Sequence, residues 1–151
     1  MTIYALSSGA GVSGVAIIRI SGPETKNVLK SLTKKEIPQP RVATLRKINN
    51  INTSELIDEG LILWFPGPES YTGEDMAEIH VHGGHAVVTS LQNEISCIKN
   101  CRLAEPGEFT KLAFQNGKIN LLKAESIVDL ISAETEMQRL QAIKIMQGNS
   151  S

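Results

Sequence analysis

The stretch GVAIIRISGPETKNVLKSLT, Gly14 to Thr33, contains the change of hydrophobic period on which the fold turns. Val15 to Ile20 is a β-branched run of strand length, and Ser21-Gly22-Pro23-Glu24 interrupts it with capping residues and an early proline. Val28, Leu29 and Leu32 then recur at helical spacing. The stretch therefore predicts a strand from Gly14 to Ile20 and a helix from about Pro23 to Thr33. Lys26, Lys30 and Lys34 recur every four residues on that helix and read as a solvated face.

Upstream, Thr2 to Ser7 is a second β-rich run, joined to the first by Ser8-Gly9-Ala10-Gly11-Val12-Ser13. Gly9 to Gly14 matches the dinucleotide pattern GxGxxG literally. That mechanism needs the last glycine to open a helix whose N-terminus meets the pyrophosphate, whereas here Val15-Ala16-Ile17-Ile18 continues as strand. The segment is better read as a glycine-rich connection whose backbone can approach a ligand or a second subunit.

Downstream, Lys35 to Ser54 carries Pro38, Pro40 and an Asn-rich patch, and it reads as connecting structure with one strand, Ala43 to Ile48. Strands are expected over Leu56 to Phe65, ended by Pro66-Gly67-Pro68, and over Ala77 to Val81. Helices follow over His85 to Ser96 and over Glu108 to Asn116, the second closed by Gly117 as a left-handed cap. From Asn120, Leu121, Ala124, Val128 and Ile131, then Met137, Leu140 and Ile143, form an apolar helical stripe. Nothing after Gln147 covers that stripe, so the chain reads as a piece of a longer protein.

A length of 151 residues suits one domain, and 41% hydrophobic and 21% charged residues with a net charge of −1 argue against disorder and against a basic nucleic-acid-wrapping surface. The N-terminus lacks a basic region before an apolar run, and no stretch approaches the ~18 apolar residues that span a bilayer, so a cytoplasmic protein without membrane contact is expected. Cys97 and Cys101 read as free thiols in or beside a core. GxxxxGK[ST] does not occur, so no phosphate-cradling loop is present and GTP hydrolysis by this chain alone is not expected. His80, His82 and His85 cluster, with His80, His82 and Glu78 on one side of a strand, as metal ligands sometimes are. They complete no zinc spacing, and Gly83-Gly84 reads as a tight strand-to-helix turn with His82 structural beside it.

Three segments are similar, in order and spacing, to the N-terminal region of the MnmE (TrmE) family of tRNA-modification GTPases. They are Gly14 to Pro23, Trp64 to Asp75, and Pro106-Gly107-Glu108-Phe109-Thr110 with Asn116-Gly117-Lys118. The resemblance runs from Thr2 to about Gly148, and Ala124 to Ile131 looks like the start of the family's central helical domain.

The resemblance implies an α+β fold: a folate-binding, aminomethyltransferase-like domain with a mixed sheet and flanking helices over residues 1–118, then the first helical segment of an all-α domain over 119–151. It implies a homodimer that binds 5-formyl-tetrahydrofolate or a related tetrahydrofolate. In the full-length family protein, a partner, the flavin-containing MnmG, helps modify C5 of the wobble uridine of tRNA. GTP, magnesium and potassium belong to a GTPase domain outside this chain.

The family's folate positions fall on Arg19, Glu78 and Lys118. A pterin presents adjacent N–H donors that one carboxylate accepts in a pair, which suits Glu78, while the two cations suit carbonyl oxygens or the anionic glutamate tail. The chain departs from the family pattern at Gly9-Ala10, Val12, His80 and Asn120. No catalytic residue and no metal ligand are assigned. The alternatives are a dimerisation module with a vestigial folate pocket and a metal hydrolase built on the three histidines.

Overall fold

Every strand expected from the sequence forms in the computed structural model, which describes residues 1–7, 14–82, 84–119, 128–136 and 138–139. In chain order the elements are β1 (Thr2–Leu6), β2 (Val15–Ser21), α1 (Thr25–Thr33), β3 (Thr44–Asn49), β4 (Leu56–Phe65) and β5 (Met76–His82). They continue with α2 (His85–Ser96), β6 (Cys101–Leu103) and α3 (Glu108–Gln115). Residues 128–136 are helical as well.

The six strands make one sheet in the order β3-β4-β5-β2-β1-β6. All neighbours are antiparallel except β1 and β6, which run parallel, so the sheet is mixed and the class is α+β. Side chains alternate between the faces of a strand. One face carries Tyr4, Ala16, Ile18, Ile20, Ile62, Trp64, Ala77, Ile79 and Val81, buried against Val28, Leu29 and Leu32 of α1 and Val88, Leu91 and Ile95 of α2. On the other face, Phe109 of α3 packs on Ile3, Ala5 and Met76 at one end. Beyond that end lie Arg19, Glu78 and His80. Among the described residues no helix is long and apolar enough to cross a membrane.

Three details differ from the sequence reading. Ser21 is the last residue of β2 rather than a cap, and its hydroxyl meets Thr72 Oγ1 at 2.7 Å and donates to Glu74 Oε1 at 3.1 Å. The start of α1 is tied down across the sheet instead, by Thr2 Oγ1 accepting the Glu24 N–H at 2.7 Å. Strand β6 has no counterpart among the expected elements, because three residues on a sheet edge carry too little alternation to announce themselves. Of the stripe after Asn120, Val128 and Ile131 are in the described helix, while Leu121, Ala124, Met137, Leu140 and Ile143 lie outside the described residues, as does the Ser8–Ser13 loop.

Candidate functional site

The segment from Pro66 to Asp75 connects the paired strands β4 and β5, and polar contacts pin it to β2 and α3. Thr72, fully buried, holds Ser21 of β2, and its carbonyl accepts the Asn116 amide just after α3 at 2.7 Å. Asp75 Oδ1 accepts the Gly67 N–H at 2.8 Å, closing the loop on itself. Tyr71 Oη lies 3.0 Å from Thr110 Oγ1 on α3. The loop thus holds Tyr71 at the buried Ser21 end of β2.

Arg19 is in the middle of β2, opposite Glu78 of β5 in the register. Its guanidinium carbon is 5.4 Å from the Tyr71 ring centre and 5.5 Å from that of Phe109, a cation–π position with respect to both. An Arg19 Nη lies 3.8 Å from Glu78 Oε2, and the other carboxylate oxygen of Glu78 lies 3.0 Å from His80 Nε2. Glu78 therefore has His80 as a partner within the protein, which its place among Ala77, Ile79 and Val81 did not reveal. Lys118, exposed, follows the left-handed Gly117 that ends α3, and its N–H donates to Ala113 O at 2.8 Å. Its stem runs beside the same loop, with Cγ 3.3 Å from where a Cβ on Gly73 would stand. The structure therefore brings Arg19 and Glu78 into contact, and Lys118 to the loop that carries Tyr71.

Arg19, Tyr71, Phe109 and Thr110 line an open cavity of about 270 Å³ together with Ser7, Leu130, Ala133, Glu134 and Gln138. Sequence reading missed Tyr71, Phe109 and Glu134 as site residues. The first two lie inside the family motifs, and their aromatic character beside an isolated strand arginine was the available signal. Glu134 carried none, because one carboxylate on a helix is ordinary. The arrangement offers flat apolar walls, a fixed cation and a carboxylate, which suits binding and orienting a planar heteroaromatic molecule.

The three histidines do not converge. His80 meets Glu78, His82 meets both carboxylate oxygens of Asp58, and His85 Nε2 is 3.5 Å from Thr89 Oγ1. Among the described residues no group of three His, Cys, Asp or Glu could hold a metal ion, so the metal-hydrolase alternative has no support. The backbone N–H of His82 also donates to Asp58, the structural role expected beside the turn. Cys97 and Cys101 are free, and burial pushes the Cys101 thiol up, away from reactivity.

A family model described as GTP-binding protein TrmE N-terminus matches residues 2–118. The chain is 76% identical over 151 residues to a tRNA modification GTPase MnmE of Pelagibacter ubique (strain HTCC1062), covering 100% of the chain and 34% of that protein. It is 50% identical over 148 residues to the mitochondrial 5-taurinomethyluridine-[tRNA] synthase subunit GTPB3 of Danio rerio, 98% of the chain and 29% of that protein. It is also 52% identical over 150 residues to a tRNA modification GTPase MnmE of Sinorhizobium medicae (strain WSM419), 99% of the chain and 34% of that protein. The chain thus spans at most 34% of the length of these relatives.

Proposed function

This chain belongs to the TrmE N-terminus family, and from that premise we propose that it is the tetrahydrofolate-binding, dimerising region of a tRNA-modification GTPase. Residues 1–118 form the folate domain, on an aminomethyltransferase-like fold, and residues 119–151 begin the helical domain. The whole protein hydrolyses GTP in the cytoplasm and, with flavin-containing MnmG, modifies C5 of the wobble uridine of tRNA. GTP, magnesium and potassium are held outside this chain.

The observation that carries the proposal is the Arg19 guanidinium, held beside both the Tyr71 and Phe109 rings with its Nε buried and without a partner among the described residues. A buried donor without a partner is costly, and a ligand carbonyl or carboxylate oxygen satisfies it. The donor set fits 5-formyl-tetrahydrofolate or a related tetrahydrofolate: Glu78 accepts the paired pterin N–H groups, and Arg19 and Lys118 take carbonyl oxygens or the glutamate tail. Bound folate serves as the one-carbon source. The residues of this chain bind and orient it, with the Tyr71 and Phe109 rings offering flat surfaces beside Arg19.

Homodimer formation is supported by the part of the sheet face that no described residue covers. Leu45, Leu61, His80 and Ile17 stand side by side across β3, β4, β5 and β2, and Leu45 and Leu61 remain 57% and 40% exposed. Calorimetric titration of the chain with 5-formyl-tetrahydrofolate tests the binding proposal. Saturable binding, one ligand per chain, is expected. Absence of heat and of competition by related folates would leave a dimerisation module with a vestigial pocket.

A further inference from the structure

One wall of the cavity comes from a segment to which the folate reading gives no role. No local side chain caps α3, whose N-cap is Gly107. Two side chains from beyond residue 128 do so instead: Gln138 Oε1 accepts the Gly107 N–H at 3.1 Å and Glu134 Oε2 accepts the Thr110 N–H at 3.2 Å. The second oxygen of that carboxylate, Glu134 Oε1, is buried and without a partner among the described residues, as is Arg19 Nε. Both residues line the same cavity. A carboxylate serving only as a cap would turn its free oxygen to water, and buried polar atoms left unpaired are rare enough to call for an explanation. One is a bare acceptor and the other a bare donor. A flat heteroaromatic molecule with an N–H group and a ring carbonyl oxygen satisfies both.

We propose that Glu134 is a ligand-binding residue, accepting an N–H of a heteroaromatic ligand whose oxygen takes the Arg19 Nε–H, and that the occupied cavity fastens helical residues 128–136 to α3. The inference rests on reading this cavity as the folate site and adds a regulatory consequence. The ligand bridges the sheet and the helical segment, so occupancy of the site is transmitted to whatever that segment joins.

The probe is 5-formyl-tetrahydrofolate, titrated into the parent chain and into Glu134→Gln, Glu78→Gln and Glu136→Gln, with amide hydrogen exchange followed in each. In Glu134→Gln the amide oxygen still accepts the Thr110 N–H, and an NH₂ donor replaces the free oxygen. Its unfolding midpoint without ligand should match the parent. Its affinity should fall about tenfold or more, the usual worth of a charge-assisted hydrogen bond. Ligand should slow exchange across 128–136 in the parent and not in Glu134→Gln. Glu136, which pairs with Arg139 on an exposed side, should be replaceable by Gln without effect on either. Glu134→Gln binding within about twofold of the parent, while Glu78→Gln loses binding, would overturn the inference and leave the folate reading standing. Slowing of exchange that persists in Glu134→Gln would overturn it as well. A parent chain that does not bind the probe would overturn both.

Discussion

Arg19 and Glu78 face each other at 3.8 Å, a long and half-buried pair in which Gln replaces Glu nearly isosterically. Replacing Glu78 by Gln should therefore leave the fold and the proposed dimer intact while opposing the N–H groups of the proposed pterin with an amide donor. The expected loss is roughly 2 to 4 kcal/mol, about 30- to 1000-fold in folate affinity by calorimetry. An affinity within about twofold of the parent would move the pterin off Glu78. Asp58 is a residue of the opposite kind, structural rather than binding. Burial raises its pKa, but the N–H and imidazole of His82 together outweigh burial and hold the carboxyl below the usual carboxylate range. A folded-state value below the unfolded one stabilises above the unfolded pKa of about 4 and loses that contribution as pH falls through the folded value. Asp58→Asn should cost about 1 kcal/mol at neutral pH. In denaturant titrations at decreasing pH, the gap between variant and parent should close once the parent's carboxyl is protonated.

At the scale of elements, α3 is bounded by two left-handed glycines that differ in what surrounds them. Gly117, at φ 69°, has open space where a Cβ would go, whereas a Cβ on Gly107, at φ 72°, would stand 2.5 Å from Ile131 Cγ2. Gly117→Ala should cost only the left-handed strain, about 1–2 kcal/mol. Gly107→Ala should cost about 1–3 kcal/mol more, because it must also push residues 128–136 off the start of α3. Urea denaturation of the two variants measures the difference, and equal losses would refute the packing of Ile131 on α3. The ends of α3 were readable because Pro106-Gly107 and Gly117 are local signals. The caps supplied by Glu134 and Gln138 were not, because they arrive from more than twenty positions downstream.

For the molecule as a whole, one sheet face is buried under α1 and α2, while on the other, among the described residues, α3, residues 128–136 and Gln138 stand over the Arg19 end and Leu45 and Leu61 stay exposed. The apolar row through Leu45 and Leu61 then needs another surface, and the proposed second copy supplies it. Leu61→Asp places a charge in the centre of that row, where the protein's own packing does not bury it. The variant should keep the parent's unfolding midpoint and shift from dimer to monomer in light scattering at micromolar concentration. A Leu61→Asp dimer as tight as the parent would put the interface elsewhere.

The local order of the chain was legible from the sequence alone. The change from strand to helical period after Ser21, the alternation of Ala77, Ile79 and Val81, and the glycine at the end of α3 are properties of neighbours, and strands and helices answer to neighbours. The motifs of the TrmE N-terminus family were legible in the same way, being contiguous. Only the tertiary structure decided what the isolated polar residues do. It sent Ser21 to Thr72 instead of to a helix cap, and placed Arg19 beside both Tyr71 and Phe109. It also brought Glu134 into the same cavity. Such placements join positions from 51 residues apart, as in Ser21 and Thr72, to more than 100, as in Arg19 and Glu134 around one cavity. Their partners are chosen by the strand order and by which side of the sheet the helices cover, and neither is written in any window of the sequence.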